Sequence, residues 1–146
     1  PEYTRGLCIY YGHESSGTIN LKLYHVTNLV QLLNSNISAD SSATIVFKNK
    51  YPFPDNEFDV IISGQCFEHV DRPWDLVKEL YRILKYSGHV FIIAPSKGPI
   101  HTKHDCWRIL PDGMQSLLQW GGFDSVTISW NKDSKWGDCA GYARKL

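Results

Sequence analysis

Two short, almost uninterrupted apolar runs constrain the fold of this chain more than any other feature. Residues 58–63 read FDVIIS and residues 89–94 read HVFIIA. Runs so rich in β-branched residues suit strands buried on both faces, as in a parallel sheet covered by helices. Between them, Trp74, Leu76, Val77, Leu80, Ile83 and Leu84 recur at three- and four-residue spacing and form one helical face. Asp71 suits the N-cap, Pro73 the first turn, and Gly88 lies just past the end. Strand, crossover helix and strand then make a right-handed βαβ unit.

The spacing predicts a second helix from Pro111, with Met114, Leu117 and Leu118 as its stripe and Gly121-Gly122 as its stop. FDSVTISW (123–130) alternates and reads as a strand, and CAGYAR (139–144) reads as the last one. The short loop between them predicts an antiparallel pair at the sheet edge. Upstream, LCIYY (7–11) and ATIVF (43–47) read as strands, while NLVQLL (28–33) fits either a strand or the end of a short helix. Residues 12–27 leave room for a short helix at most, and NSNISADSS (34–42) reads as a polar loop.

A chain of 146 residues predicts one domain, 1–146, and its 42% apolar content is enough for a core. Fifteen basic residues balance fifteen acidic ones, so there is no basic footprint for nucleic acid. No apolar run approaches the ~18 residues of a membrane span, and no signal peptide is visible. Cys8, Cys66, Cys106 and Cys139 neither pair at metal-ligand spacing nor suffice for a disulfide scaffold. Reduced thiols in a cytoplasmic protein are the expectation. The chain opens on Pro1 rather than methionine, which leaves room for residues upstream. Nothing in the pattern bears on oligomeric state.

In open α/β sheets, ligands bind at the carboxyl ends of strands. Two polar segments lie at such ends, Ser63–His69 and Pro95–Arg108. Adjacent strands bring both to one rim, where Glu68, His69, His101, His104 and Asp105 can share a cleft. His69 either positions substrate and accepts a proton, or caps the following helix and packs beneath the rim. His101, His104 and Asp105 are substrate ligands, a general base, or members of a solvated loop. A metal reading needs a further ligand such as Glu68 or His69, and no metal site is assigned. Trp107 and Arg108 either shape an acceptor pocket or, for the tryptophan, seal the edge of the sheet. Trp120 and Trp136 read as structural, and Cys66 as inert.

Several motifs resemble those of class I S-adenosylmethionine-dependent methyltransferases. PFPDNEFDV (52–60) is similar to the segment leading into their fourth strand, and Phe67-Glu68-His69-Val70 to their "LEHV" turn. YRILKYSGH (81–89) is similar to "RVLKPGG", with Tyr86-Ser87 in place of Pro-Gly. DCWRILPDGM (105–114) resembles a segment of a subgroup placed in polysaccharide and sugar gene clusters. The resemblance implies a Rossmann-like α/β fold: a mostly parallel central sheet, an antiparallel edge strand, helices on both faces and a shortened N-terminus. It also implies S-adenosylmethionine as cofactor, lined by Gly12, Gly17, Asn34, Ser63, Gly64 and Gln65. His69 and His101 would be catalytic, with His104, Asp105, Trp107 and Arg108 binding a small polar acceptor, a sugar or polysaccharide precursor.

The N-terminal half departs from that pattern. The glycine turn is Gly12-His13-Glu14-Ser15-Ser16-Gly17, and Tyr10 stands where an acidic residue is usual. Asn34 and Asn36, rather than a carboxylate, follow the second strand, and Phe47-Lys48 follows the third. The alternative is therefore a methyltransferase-like module that binds or assembles without catalysing. A metal-dependent hydrolase built on His101, His104 and Asp105 is a third reading.

Overall fold

The computed structural model describes residues 4–11, 18–26, 41–46, 50–51 and 53–146. Seven strands form one sheet: β1 (Thr4–Tyr11), β2 (Thr18–Val26), β3 (Ser41–Val46), β4 (Phe58–Gly64), β5 (Leu84–Ala94), β6 (Ser125–Trp130) and β7 (Cys139–Arg144). Their order across the sheet is β3-β2-β1-β4-β5-β7-β6. Two helices complete the frame, α1 (Pro73–Ile83) and α2 (Pro111–Gly121), with a 3-10 turn at Phe67–His69.

β1, β4 and β5 pair in parallel at the centre. β7 runs antiparallel to both β5 and β6, and β2 antiparallel to both β1 and β3. Thus β1, β3, β4, β5 and β6 point one way, while β2 and β7 point the other. The expected antiparallel pair is present, but its reversed strand β7 sits one place in from the edge. The reversed β2 is a correction to the sequence reading, which left that stretch a short helix at most. Residues 12–17 alone join β1 to β2, far fewer than the roughly dozen that a parallel crossover requires, so the chain turns back on itself as a hairpin. The NLVQLL segment, Gly12, Gly17, Asn34 and Phe47-Lys48 lie outside the described residues.

β4 is buried as its sequence requires: Phe58, Val60, Ile61 and Ser63 are all inaccessible. α1 turns Leu76, Val77, Leu80 and Ile83 into a core completed by Val90 and Ile92 of β5 and by Met114 and Leu118 of α2. Pro73 opens α1 and Pro111 opens α2, where a missing N–H costs nothing. Gly122, at φ 113°, closes α2 in the left-handed conformation. α2 crosses β7 at Gly141, where an added Cβ would lie 2.7 Å from the Leu118 side chain and 2.8 Å from Met114. A Cβ on Gly121 would lie 2.8 Å from Val77, so α1 and α2 also touch. Among the described residues both helices therefore share one face of the sheet.

Candidate functional site at the carboxyl rim of β4 and β5

The two polar segments do meet. Gln65 leaves β4 with φ 50°, a left-handed conformation rare outside glycine, and its N–H still bonds the Ile93 carbonyl at 2.9 Å. Its side chain reaches Asp138 Oδ1 at 2.9 Å. The 3-10 turn then carries Glu68 and His69 inward, where they are 1% and 3% exposed. The loop after β5 is tied to this turn, because the N–H groups of Cys106 and Trp107 both donate to the Glu68 carbonyl, at 2.7 and 3.0 Å.

Glu68 is a carboxyl in an apolar setting. Burial pushes its pKa up to about 7, the nearby Asp105 adding to the rise while the residue's own backbone N–H and Arg108 oppose it. Its Oε1 lies 3.6 Å from His69 Nε2. Its Oε2 is buried and meets no hydrogen-bond partner among the described residues. His69 Nδ1 approaches the His104 carbonyl at 2.6 Å, a contact that requires the proton on Nδ1. His101 stands beside it, with ring centres 5.0 Å apart, and Trp136 covers the other side of His101 at 4.9 Å.

Of the expected substrate ligands, fewer face the rim. His104 lends its carbonyl to His69, but its ring turns outward to Asp71 Oδ1 at 2.6 Å and to the Cys106 thiol at 3.5 Å. Asp105 and Arg108 engage each other in a two-pronged pair at 2.6 and 2.8 Å. Arg108 also donates to the carbonyls of Pro99 and Gly98, while Asp105 accepts from His101 Nδ1 at 2.9 Å. The guanidinium holds the Asp105 carboxyl far below the usual range. These two residues brace the loop.

Trp107 has a double position. Its indole N–H donates to the Val70 carbonyl at 2.8 Å, and its ring meets Trp74 edge-on at 5.8 Å. It also lines a groove of about 730 Å³ with Trp74, Leu110, Leu117 and Trp130. Sequence reasoning missed Trp74 and Trp130, because they come from separate elements and share no spacing.

Of the expected cofactor-lining residues, those described are Ser63, Gly64 and Gln65. A Cβ built on Gly64 meets nothing within 4 Å, so the backbone there borders open space. The Ser63 hydroxyl is buried without a partner among the described residues.

Residues 23–92 match the family described as "Methyltransferase domain". A 67-residue stretch is 31% identical to the ubiquinone/menaquinone biosynthesis C-methyltransferase UbiE of Azotobacter vinelandii, covering 46% of this chain and 26% of that protein. Among solved structures, an SAM-dependent methyltransferase from Archaeoglobus fulgidus superposes with a TM-score of 0.53 at 20% identity. That match covers 64% of this chain and 62% of the other. The fold is that of the class I methyltransferases. Phosphoethanolamine N-methyltransferase 2 of Haemonchus contortus, solved with S-adenosyl-L-methionine, is more distant, with a TM-score of 0.50 at 14% identity over 65% of this chain and 35% of that one. The chain thus spans about a quarter of the curated relative's length and under two thirds of the Archaeoglobus chain's.

Proposed function

We propose that this chain serves S-adenosylmethionine-dependent methyl transfer to a small polar acceptor, a sugar or a polysaccharide precursor. The observation that carries the reading is the buried Glu68–His69 pair at the carboxyl rim of parallel strands in a class I methyltransferase fold. The cofactor brings an already activated methyl group, so the protein's work is positioning and proton management. Ser63, Gly64 and Gln65 fit one wall of its site: open backbone, a spare hydroxyl and a turn bent away from the strand. Gly12, Gly17 and Asn34 are assigned to the same site on the resemblance alone. A carboxyl poised near pH 7 beside an imidazole is suited to take the acceptor's proton.

The aromatic groove next to Trp107 is the acceptor pocket in this reading. Its volume falls within the range of small-molecule sites, and indole faces suit the C–H faces of sugar rings. No helix of the described residues is long and apolar enough to cross a membrane, and the balanced charge favours a small acceptor over nucleic acid.

One observation favours a second reading, a methyltransferase-like binding or assembly module without catalysis. The dinucleotide-fold arrangement places a helix N-terminus after the first glycine turn, whereas here β2 follows as an antiparallel strand. Calorimetric titration with S-adenosylmethionine and its demethylated product separates the two. Binding of both at micromolar concentration is the expected result. A folded sample that binds neither at millimolar ligand defeats the enzyme reading.

A further inference from the structure

We infer that Glu68, His69 and His101 form a binding site for a divalent transition-metal cation at the rim. Each offers one ligand atom, and the three atoms lie within 4.8 Å of one another. Two imidazoles on one cation, with metal–nitrogen bonds of ~2.1 Å, place their ring centres roughly 5 Å apart. The centres of His69 and His101 are 5.0 Å apart, inclined at 62°.

The surroundings are those of ligand histidines. A metal-bound imidazole usually donates its remaining N–H to a carbonyl or carboxylate, which sets the tautomer and aims the ring. His69 presents Nδ1 to the His104 carbonyl at 2.6 Å, and His101 presents Nδ1 to Asp105 Oδ2 at 2.9 Å. With the proton on Nδ1, each ring carries its lone pair on Nε2, and His69 Nε2 faces Glu68 Oε1 at 3.6 Å. Asp105 is itself held by Arg108, so the outer shell is rigid. The third ligand supplies an independent sign. Glu68 is 1% exposed, and its Oε2 has no hydrogen-bond partner among the described residues. A buried carboxylate oxygen without a partner is costly, and a cation satisfies it.

Two imidazoles and one carboxylate suit zinc, cobalt(II) or iron(II), and not magnesium or calcium, which favour all-oxygen sites. The neighbouring Asp71, His104 and Cys106 trio also brings ligand atoms together, but it faces solvent and its His104 and Asp71 already pair at 2.6 Å. It serves as the control. The consequence for chemistry rests on the methyl-transfer reading. A cation here would lower the pKa of an acceptor hydroxyl, and the released proton would pass to solvent, because Glu68 and His69 would be engaged as ligands.

The test is calorimetric titration of the metal-free full chain with zinc chloride, followed by absorption spectroscopy with cobalt(II). One-site binding is expected, weakened about tenfold or more in Glu68→Gln and in His101→Ala, and unchanged in Cys106→Ser. The cobalt spectrum should lack a thiolate charge-transfer band. Glu68→Gln preserves side-chain size, and circular dichroism confirms that each variant is folded. Absence of zinc binding by folded protein overturns the site, as does binding that survives Glu68→Gln but is lost in Cys106→Ser. Neither measurement needs S-adenosylmethionine. Failure to bind zinc with cofactor binding intact defeats the metal site alone, and the reverse pattern defeats the methyl-transfer reading alone.

Discussion

Ser87 adopts φ 63° near the start of β5, one residue before Gly88. An L-residue there brings its Cβ against the backbone, a strain of roughly 1–2 kcal/mol that glycine avoids. Glycine also enlarges the unfolded ensemble, which returns part of the gain. Ser87→Gly should therefore stabilise the protein by about 0.5–1 kcal/mol in urea denaturation. The related "RVLKPGG" pattern has glycine at this position. At Glu68 the prediction concerns pH. Its folded pKa of about 7 lies above the unfolded value, so the folded state holds the proton more tightly between the two. Its contribution to stability is full below pH ~4.5 and declines as pH rises towards 7. Metal-free protein should lose up to roughly 3 kcal/mol across that window from this group. Glu68→Gln should remove the slope, as urea midpoints at a series of pH values would record.

At the scale of elements, α1 is fastened to the segment that leads into β4. Arg82 donates to Glu79, to Asp55 Oδ1 at 2.6 Å and to the Tyr51 carbonyl at 3.2 Å, and the Tyr51 N–H donates to Glu79 Oε1 at 2.6 Å. Glu79 is 6% exposed, so removing its partner would leave a buried charge unpaired. Arg82→Ala should cost about 3 kcal/mol, measured by chemical denaturation. Lys145 fastens the same C-terminal end of the helix from the far end of the chain. Its ammonium donates to the carbonyls of Tyr81 and Leu84 at 2.8 and 2.9 Å, the last turn that the helix leaves unsatisfied. The helix and both flanking strands were legible as sequence, since each announces itself by a pattern over eleven residues or fewer. The lysine was not, because its partners lie some sixty residues away.

At the scale of the whole molecule, the groove beside the rim exists only because four separate segments converge. Trp74 lies in the first turn of α1, Trp107 and Leu110 belong to the loop after β5, Leu117 lies on α2 and Trp130 ends β6. Under the acceptor-pocket reading, Trp107→Ala should raise the KM for acceptor about tenfold with a smaller effect on kcat, read from steady-state kinetics at saturating cofactor. An unchanged KM would remove the groove from the acceptor path.

The sequence by itself determined the order β4, α1, β5, the helix α2 and the β6–β7 pair, although α1 is capped at Arg72 rather than Asp71 and gives way to β5 at Leu84, before Gly88. Apolar period and terminal residues are local quantities, and burial on one or both faces follows from them directly. It also brought Glu68, His69 and His101 to one rim, since strand ends carry the loops that follow them. Only the tertiary structure decided that β2 runs backwards, that His104 turns its ring away, and that Asp105 and Arg108 neutralise each other. Those outcomes depend on which distant groups compete for a hydrogen bond or a place out of water, and that competition is settled only when the chain is packed.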